Sequence, residues 1–425
     1  MSLCVYLRTH LIGHLEEDVQ GLRFTYVPEW VEAQGEPLSF SLPLRRESYV
    51  GVEVESFFSN LLPDDYVRTR IGEILQIPRE NTYALLEAIG GDCAGAVQFF
   101  KEGTDPQFSR EPVFRALSET EALKILADLE KRPLNVGEDG VRISGAGAQD
   151  KLVACVKGGE ILLPLHGTPA THIIKPEIKG YPGSVENEWF SMCLAAKCGL
   201  KTAACTILKL GESRYYVTER YDRMSEDGSV VRLHQEDFCQ LLNVDPKHKY
   251  EAHGGPGLVS CFELLRRLQL SAAETLEFLN RVIFNFLVGN GDAHGKNFSV
   301  LYRNGRCELA PMYDVMSTTI YPEVAARMAM KIDCEYGFKW MTLNKFIRQG
   351  EKLGFSEKLM RSVIAKLSKR VLKESRRLAD QAKKRYPSWV YDRIVKGIEQ
   401  RLSLIGVLSD PRASGALKHM GKRLL

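Results

Sequence analysis

Nothing in the 425 residues approaches the uninterrupted apolar run of about 20 that a membrane-spanning helix needs. The densest apolar stretches, Val282-Ile283-Phe284 and Phe286-Leu287-Val288, are short and broken by Asn285. That excludes a helical span and predicts no membrane partner. The start, Met1 to Arg8, lacks a basic segment followed by an apolar core, so no secretory signal is expected. Ten cysteines are scattered from Cys4 to Cys334, with no Cys-x-x-Cys and no Cys/His cluster of zinc-ligand spacing. Reduced, mostly buried thiols in a cytoplasmic protein follow from that pattern. Net charge is also scarce: 57 Lys and Arg against 54 Asp and Glu leave +3, too little to mark the whole chain as a nucleic-acid binder. Internal repeats and low-complexity tracts are absent.

What is present is an ordinary folding composition, 44% hydrophobic and 26% charged, enough to bury a sizeable core. At about 100–200 residues per domain, the length predicts two to four structural units. The small net charge hides an asymmetry. Residues 361–425 carry 17 Lys and Arg against 5 Asp and Glu, so the remainder is acidic. Such a basic end is read first as the solvated face of helices, and second as a surface for an acidic partner or a nucleic-acid backbone.

Patterning divides the chain into three parts: a β-rich front module over 1–107, a second β-containing stretch over 108–223, and a mostly helical part over 224–425. In the first, Leu3–Leu7, Leu22–Tyr26 and Cys93–Phe100 read as strands, and Leu38–Leu42 as a half-buried extended segment. Pro63-Asp64-Asp65 reads as a cap before a helix over Tyr66–Leu75, and Ala84–Ile89 as a short helix. The linker Gly103–Pro112 leads to a helix at Glu119–Glu130 and a loop at Val136–Gly140. Strands follow at Leu152–Val156, Glu160–Leu163 and Thr171–Lys175. Ser184 is placed to cap a helix that Gly199 stops. Strands at Cys205–Leu210 and Tyr215–Glu219 close the second part. Helical periodicity then covers Glu236–Leu242, Leu258–Leu268, Ala272–Gly289, Leu343–Leu353, Ser356–Lys384 and Ser388–Leu404. One β-like insertion, Phe298–Tyr302, turns at Asn304-Gly305. The sum is an α+β, two-lobed arrangement with an extra front module.

The chemistry concentrates in Gly289-Asn290-Gly291-Asp292-Ala293-His294-Gly295-Lys296-Asn297, a loop between a long apolar helix and a strand. Asp292 and Asn297 have the D-x-x-x-x-N spacing of a protein-kinase catalytic loop. A carboxylate there accepts the proton of an attacking hydroxyl, and an amide oxygen is a hard ligand for Mg²⁺. Asp314, in Ala310-Pro311-Met312-Tyr313-Asp314-Val315, follows 22 residues later across a strand hairpin, where kinases place a second metal-binding Asp. Tyr-Asp-Val stands in place of Asp-Phe-Gly, so the activation switch of eukaryotic kinases does not transfer. In His172-Ile173-Ile174-Lys175-Pro176 a Lys ends an apolar strand, as the phosphate-binding Lys of kinases does, with Glu186 or Glu188 as candidate acidic partners. Ser144-Gly145-Ala146-Gly147-Ala148-Gln149-Asp150-Lys151 is a small-residue loop before a strand, suited to backbone approach to phosphate, though it is neither a Walker A motif nor G-x-G-x-x-G. Val217 to Arg223 suits a hinge, with backbone groups of Glu219 and Tyr221 facing adenine.

In this order the motifs resemble the HipA-type serine/threonine kinases, the toxin half of bacterial HipBA toxin–antitoxin modules. The resemblance runs over nearly the whole chain. It includes Phe40 to Leu44, Phe57 to Pro63, Gly91 to Ala96, Glu186-Asn187-Glu188, Gln235-Glu236-Asp237 and Gly254-Gly255-Pro256-Gly257. It implies a protein-kinase-like fold that binds ATP and Mg²⁺, with Asp292 as catalytic base and Asn297 and Asp314 as metal ligands. It further implies phosphate contacts from Ala146, Gly147, Ala148, Gln149, Asp150, Lys151 and Lys175. Glu219, Arg220 and Tyr221 would hold adenine and ribose, while His294, Gly295, Lys296, Asn297 and Tyr313 would line the nucleotide site. Ser144 matches the serine these kinases autophosphorylate, an event that ejects the loop and silences the enzyme. Relatives phosphorylate proteins, in known cases an aminoacyl-tRNA synthetase, which starves translation and favours dormancy. They bind a small helix-turn-helix antitoxin, HipB, and sit with it on operator DNA. Gly145, Asp150 and Tyr221 depart from the family pattern.

Two other readings compete. Gly291 to Asn297 also resembles the G-D-x-H-x-x-N loop of phosphoinositide-type lipid kinases. A non-catalytic corepressor acting with a DNA-binding antitoxin would use the basic end, although the intact Asp292, Asn297 and Asp314 argue against it.

Overall fold

A five-stranded antiparallel sheet opens the chain, in the spatial order Tyr49–Val50, Gly21–Tyr26, His10–Asp18, Leu3–Leu7, Val97–Lys101. The computed structural model describes residues 2–407 apart from Gln107, Ser109, Arg110, Asp139, Val141, Asp227, Gly228 and Asn304, and apart from the side chain of Asp65. Asn304 of the predicted turn, Asp139 of the predicted loop, three linker residues, and Arg412, Lys418, Lys422 and Arg423 of the basic end therefore lie outside the described residues.

The front strands follow their period of two: Leu22, Phe24 and Tyr26 face inward and alternate with half-buried Gly21, Arg23 and Thr25. The central strand His10–Asp18 was hidden by its acidic tail, Glu16-Glu17-Asp18, and forms because it has a pairing partner on each edge. Leu38–Leu42 is a tight turn closed by a Ser39–Leu42 bridge, not an extended segment. The Tyr26 hydroxyl fixes it, accepting from the Leu38 N–H and donating to the Leu42 carbonyl. Cys93–Phe100 is strand only from Val97, and the helix expected at Ala84 starts at Thr82 with Asn81 as its cap.

The second part is a six-stranded antiparallel sheet, ordered Cys205–Leu210, Ser213–Glu219, His172–Lys175, Leu152–Lys157, Glu160–Leu165, Val113–Ala116. The helix Ser184–Lys197 packs on two of its strands, Cys205–Leu210 and Ser213–Glu219. Ser184 is its first residue rather than its cap, and its hydroxyl accepts the Ile178 N–H. The front core does not stop at the linker, since Leu134, Val136, Ile143, Val153 and Ala170 belong to the same apolar cluster as Phe57 and Phe99.

The third part packs helices around Ala272–Val288, which a Ser271/Glu274 capping box starts and Gly289, at φ 79°, ends. Beside it lies a three-stranded sheet, His234–Asp237, Ser299–Arg303, Arg306–Leu309. The helix predicted over Glu236–Leu242 is therefore half strand. Asp237 ends the strand and caps a single turn, Phe238–Leu241. In the long helix Glu357–Arg385, Met360, Val363, Ile364, Leu367 and Val371 form the buried stripe, while Lys366, Lys369, Lys373, Arg376 and Arg377 stand on the exposed face. The described part of the basic end is thus first of all a solvated helix face. Among the described residues no helix is long and apolar enough to cross a membrane.

Candidate active site

The helix Ala272–Val288 delivers a loop held by its own polar groups. The Asn290 side chain accepts the Asp292 N–H at 3.0 Å and donates to the Asn285 amide oxygen at 3.1 Å, while the Gly291 N–H reaches Thr318 Oγ1 at 2.9 Å. The Asp292 carbonyl collects the His294 N–H at 2.8 Å and the Asn297 side-chain amide at 2.7 Å. Asp292 and Asn297 are thereby fixed on one short frame. Because Asn297 donates through its nitrogen, its amide oxygen is the end left to face a hard cation. Gly295 has no room for a side chain, as a Cβ would sit 2.7 Å from Pro256 and 2.8 Å from Cys239.

The hairpin Ser299–Leu309 returns the chain to Asp314, whose φ of 57° lies in the left-handed region that Asp tolerates better than most residues. Its carboxylate accepts from Lys175 Nζ at 2.6 Å, and Glu188 accepts from the same ammonium at 2.7 Å. Of the two candidate acidic partners, Glu188 is the one that meets Lys175, whereas Glu186 pairs with Arg214 at 2.7 Å. Burial would push the Asp314 carboxyl up, yet Lys175 overrides it and holds Asp314 down to about 2. Burial disfavours the Lys175 ammonium, but Asp314 and Glu188 outweigh it and keep Lys175 charged.

The small-residue loop covers this pair. Gly147, at φ 102°, adopts a conformation that side chains resist. Lys151 donates to the Ala146 carbonyl, and burial and the neighbouring Lys175 charge bring its ammonium down to about 8. Gln149 lies 3.5 Å from the Pro176 carbonyl. Ser144 is 2% exposed, and its hydroxyl donates to the Leu61 carbonyl at 2.6 Å. Asp150 lies at the cleft wall with a buried Oδ1 that has no hydrogen-bond partner.

The hinge engages several groups assigned to nucleotide. The Glu219 N–H goes to the Ala204 carbonyl and the Arg220 N–H to the Thr171 carbonyl, both at 2.8 Å, while the Glu219 carbonyl lies 3.5 Å from Thr218 Oγ1. The Arg220 guanidinium is engaged elsewhere, with Asp92 at 3.0 Å and Asp222 at 3.0 Å, and its carbonyl accepts the Arg223 N–H at 3.1 Å. Tyr221 packs against Tyr313 with ring centres 5.5 Å apart, and the Tyr313 hydroxyl donates to the Lys296 carbonyl at 2.6 Å. The Lys296 ammonium is held by Asn60 Oδ1 at 2.9 Å and Asp64 at 3.2 Å, so its charge serves the front module.

These residues line one cleft of about 1100 Å³. Three contributors to it were not foreseen. Asp64, expected as a helix cap, makes no capping bond; its carboxylate joins Lys249 at 3.0 Å and Lys296, and its N–H meets the Gly147 carbonyl at 3.3 Å. Burial would raise the Asp64 carboxyl, but Lys296 and Lys249 hold it down to about 2. Lys249 and Tyr250 precede the Gly254–Gly257 motif, and the Tyr250 hydroxyl donates to Asp292 Oδ1 at 2.5 Å. The glycine-rich motif marked a special loop, but nothing in the sequence said where it docks.

Replacing Lys175 by Met would leave the Glu188 and Asp314 carboxylates without their cation. Breaking a buried pair in this way costs about 3–5 kcal/mol. The expected outcome is at least a tenfold loss of ATP affinity together with a lower unfolding midpoint, read by calorimetric titration and denaturant melts.

A strand lysine paired to a helix glutamate, an Asp and Asn on one catalytic loop, and an Asp returned by a hairpin are the working parts of the protein kinases. Family models agree, with "HipA N-terminal domain" matching residues 3–100 and "HipA-like C-terminal domain" matching residues 143–375. The chain belongs to the HipA family of serine/threonine-protein kinase toxins. It is 42% identical over 339 residues to "Putative kinase Y4mE" of Sinorhizobium fredii, covering 78% of this chain and 80% of that one. It is 30% identical over 386 residues to the serine/threonine-protein kinase toxin HipA of Shewanella oneidensis, covering 87% and 88%. Among solved structures, HipA from the Shewanella oneidensis complex of HipA, HipB and operator DNA superposes with a TM-score of 0.78 at 27% identity, covering 94% of this chain and 96% of that one.

Proposed function

We propose that the protein is an ATP- and Mg²⁺-dependent serine/threonine kinase acting as the toxin of a HipBA-like pair, organised as a front module (1–107), an upper lobe with phosphate loop and hinge (108–223) and a helical lower lobe (224–425). The observation that carries this is the meeting of Lys175, Glu188 and Asp314 in the same cleft as Asp292 and Asn297. Asp292 takes the proton from the attacking Ser or Thr hydroxyl as the phosphoryl group transfers. Lys175 and Lys151 steady the phosphates, backed by Gly147 and its neighbours, and the hinge holds the base. His294 lies beside Asp292 with its Nδ1 buried and unpartnered, and burial pushes its imidazole below the usual range. Asn297 and Asp314 fit a magnesium ion. Among the described residues no group of three or more His, Cys, Asp or Glu is placed to hold a metal, and Mg²⁺ takes one or two protein oxygens plus substrate phosphates. When bound it supplies neutralisation of phosphate charge.

The acceptor we infer is a cytoplasmic protein of translation, such as an aminoacyl-tRNA synthetase, with growth arrest as the consequence. A HipB-like antitoxin, and operator DNA through it, are the inferred partners, supported by the assembly of the Shewanella relative. Autophosphorylation at Ser144 would end activity. A phosphate cannot occupy the buried site beneath Leu61, and its charge would compete with ATP for the loop's N–H groups. Ser144→Asp is therefore expected to lower ATP affinity at least tenfold and open residues 144–151 to protease, whereas Ser144→Ala keeps the loop closed. Equal protease resistance in both variants would refute the ejection. The general test is purified protein with radiolabelled ATP and Mg²⁺: label is expected in protein, and label entering lipid alone would contradict it.

A further inference from the structure

We propose that Tyr250 is a positioning residue for phosphoryl transfer: its hydroxyl holds Asp292 Oδ1 so that Oδ2 is the oxygen presented to the substrate hydroxyl. This rests on the reading of Asp292 as the base. The contact is 2.5 Å, the range of a short charge-assisted O–H···O bond. A carboxylate on a short side chain otherwise turns easily about its last torsion, which is broad and two-fold. Here the backbone of Asp292 is fixed by Asn290, and Tyr250 fixes the carboxylate.

Tyr250 is itself presented rigidly. Its carbonyl accepts the N–H groups of His253 and Gly255, both at 2.9 Å. A Cβ on Gly255 would stand 1.9 Å from the His248 carbonyl, so the turn has no slack. The Lys249 carbonyl accepts the Gly295 N–H at 3.2 Å, tying this loop to the catalytic loop. Glu251 anchors the other side by accepting the Lys331 N–H at 2.6 Å. The Tyr250 ring packs edge-on against His294 at 5.0 Å, with Lys249 Nζ 5.8 Å from its centre. The phenol thus reaches Asp292 from a frame that does not depend on nucleotide.

The test is Tyr250→Phe in the full chain, assayed by Mg²⁺-dependent autokinase labelling and by ATP hydrolysis with water as acceptor, beside ADP affinity and thermal melting. Phe keeps the ring and its packing, so a purely structural role would be unmoved. The expected result is a fall in kcat of about ten- to hundredfold, the cost of a misaligned reacting group, with the KM for ATP and the ADP affinity within about twofold. An unchanged kcat would overturn the proposal. So would a raised kcat, which would make Tyr250 a plug on the base, or a loss appearing in KM, which would make it a nucleotide contact. Asp292→Asn run alongside separates the two readings. If it retains full activity the base assignment fails, and if it is inactive while Tyr250→Phe is normal, only the role of Tyr250 fails.

Discussion

Asp292→Ala should lower phosphoryl transfer by about 10²–10⁴-fold, the range a positioned general base contributes, while ADP binding and the unfolding midpoint stay near wild type. The separation is expected because the Asp292 side chain is half-buried at the cleft and makes no ion pair among the described residues. The loop is held by Asn290, Thr318 and the Asp292 carbonyl, all of which survive the change. The groups proposed to hold phosphate, Lys175 and the 144–151 loop, line the same cleft on other elements. Steady-state autokinase rates beside calorimetric ADP titration would read both effects. A parallel loss of rate and nucleotide affinity would mean that Asp292 supports the site rather than acting in it.

Asp92→Ala should do the opposite, destabilising the fold by about 3–5 kcal/mol. Asp92 is 1% exposed and accepts from Arg223 at 2.6 Å, Arg220 at 3.0 Å, Arg232 at 3.2 Å and the Ala170 N–H at 3.1 Å. Burial opposes its charge, yet the three guanidinium groups hold its carboxyl well below the usual range. Removing it leaves Arg220 and Arg223 sharing Asp222, and Arg232 with the Gly167 carbonyl alone. Because Arg220 and Asp222 flank Tyr221, the hinge should loosen and the KM for ATP should rise. Denaturant melts give the first effect and initial-rate kinetics the second. A variant as stable as wild type would show that the cluster relaxes without Asp92.

The long periodic elements were legible. Ala272–Val288 and Glu357–Arg385 stand within two residues of the spans their apolar spacing predicts, because burial of one helix face dictates that spacing. That Asp292, Asn297, Asp314 and Lys175 meet in one cleft was legible from the kinase-like spacing of their motifs. Legibility failed where the partner is distant in sequence. Asp64 reads as a cap locally, but Lys249 and Lys296 claim its carboxylate. Glu236 reads as helical, but Tyr302 and Ser39 bind it at 2.5 Å from two different modules. Arg220 reads as a nucleotide contact until Asp92, 128 residues earlier, is placed against it. These are long-range polar contacts, and no local pattern encodes them.

The central claim is that this cleft phosphorylates protein through Asp292. Its most direct test is to express the wild-type chain and Asp292→Ala side by side in bacteria and compare phosphoserine and phosphothreonine across the proteome. The expected result is a small set of sites, Ser144 and a translation protein among them, present only with the wild type and accompanied by growth arrest. Identical phosphoproteomes, with arrest in both or neither, would contradict it.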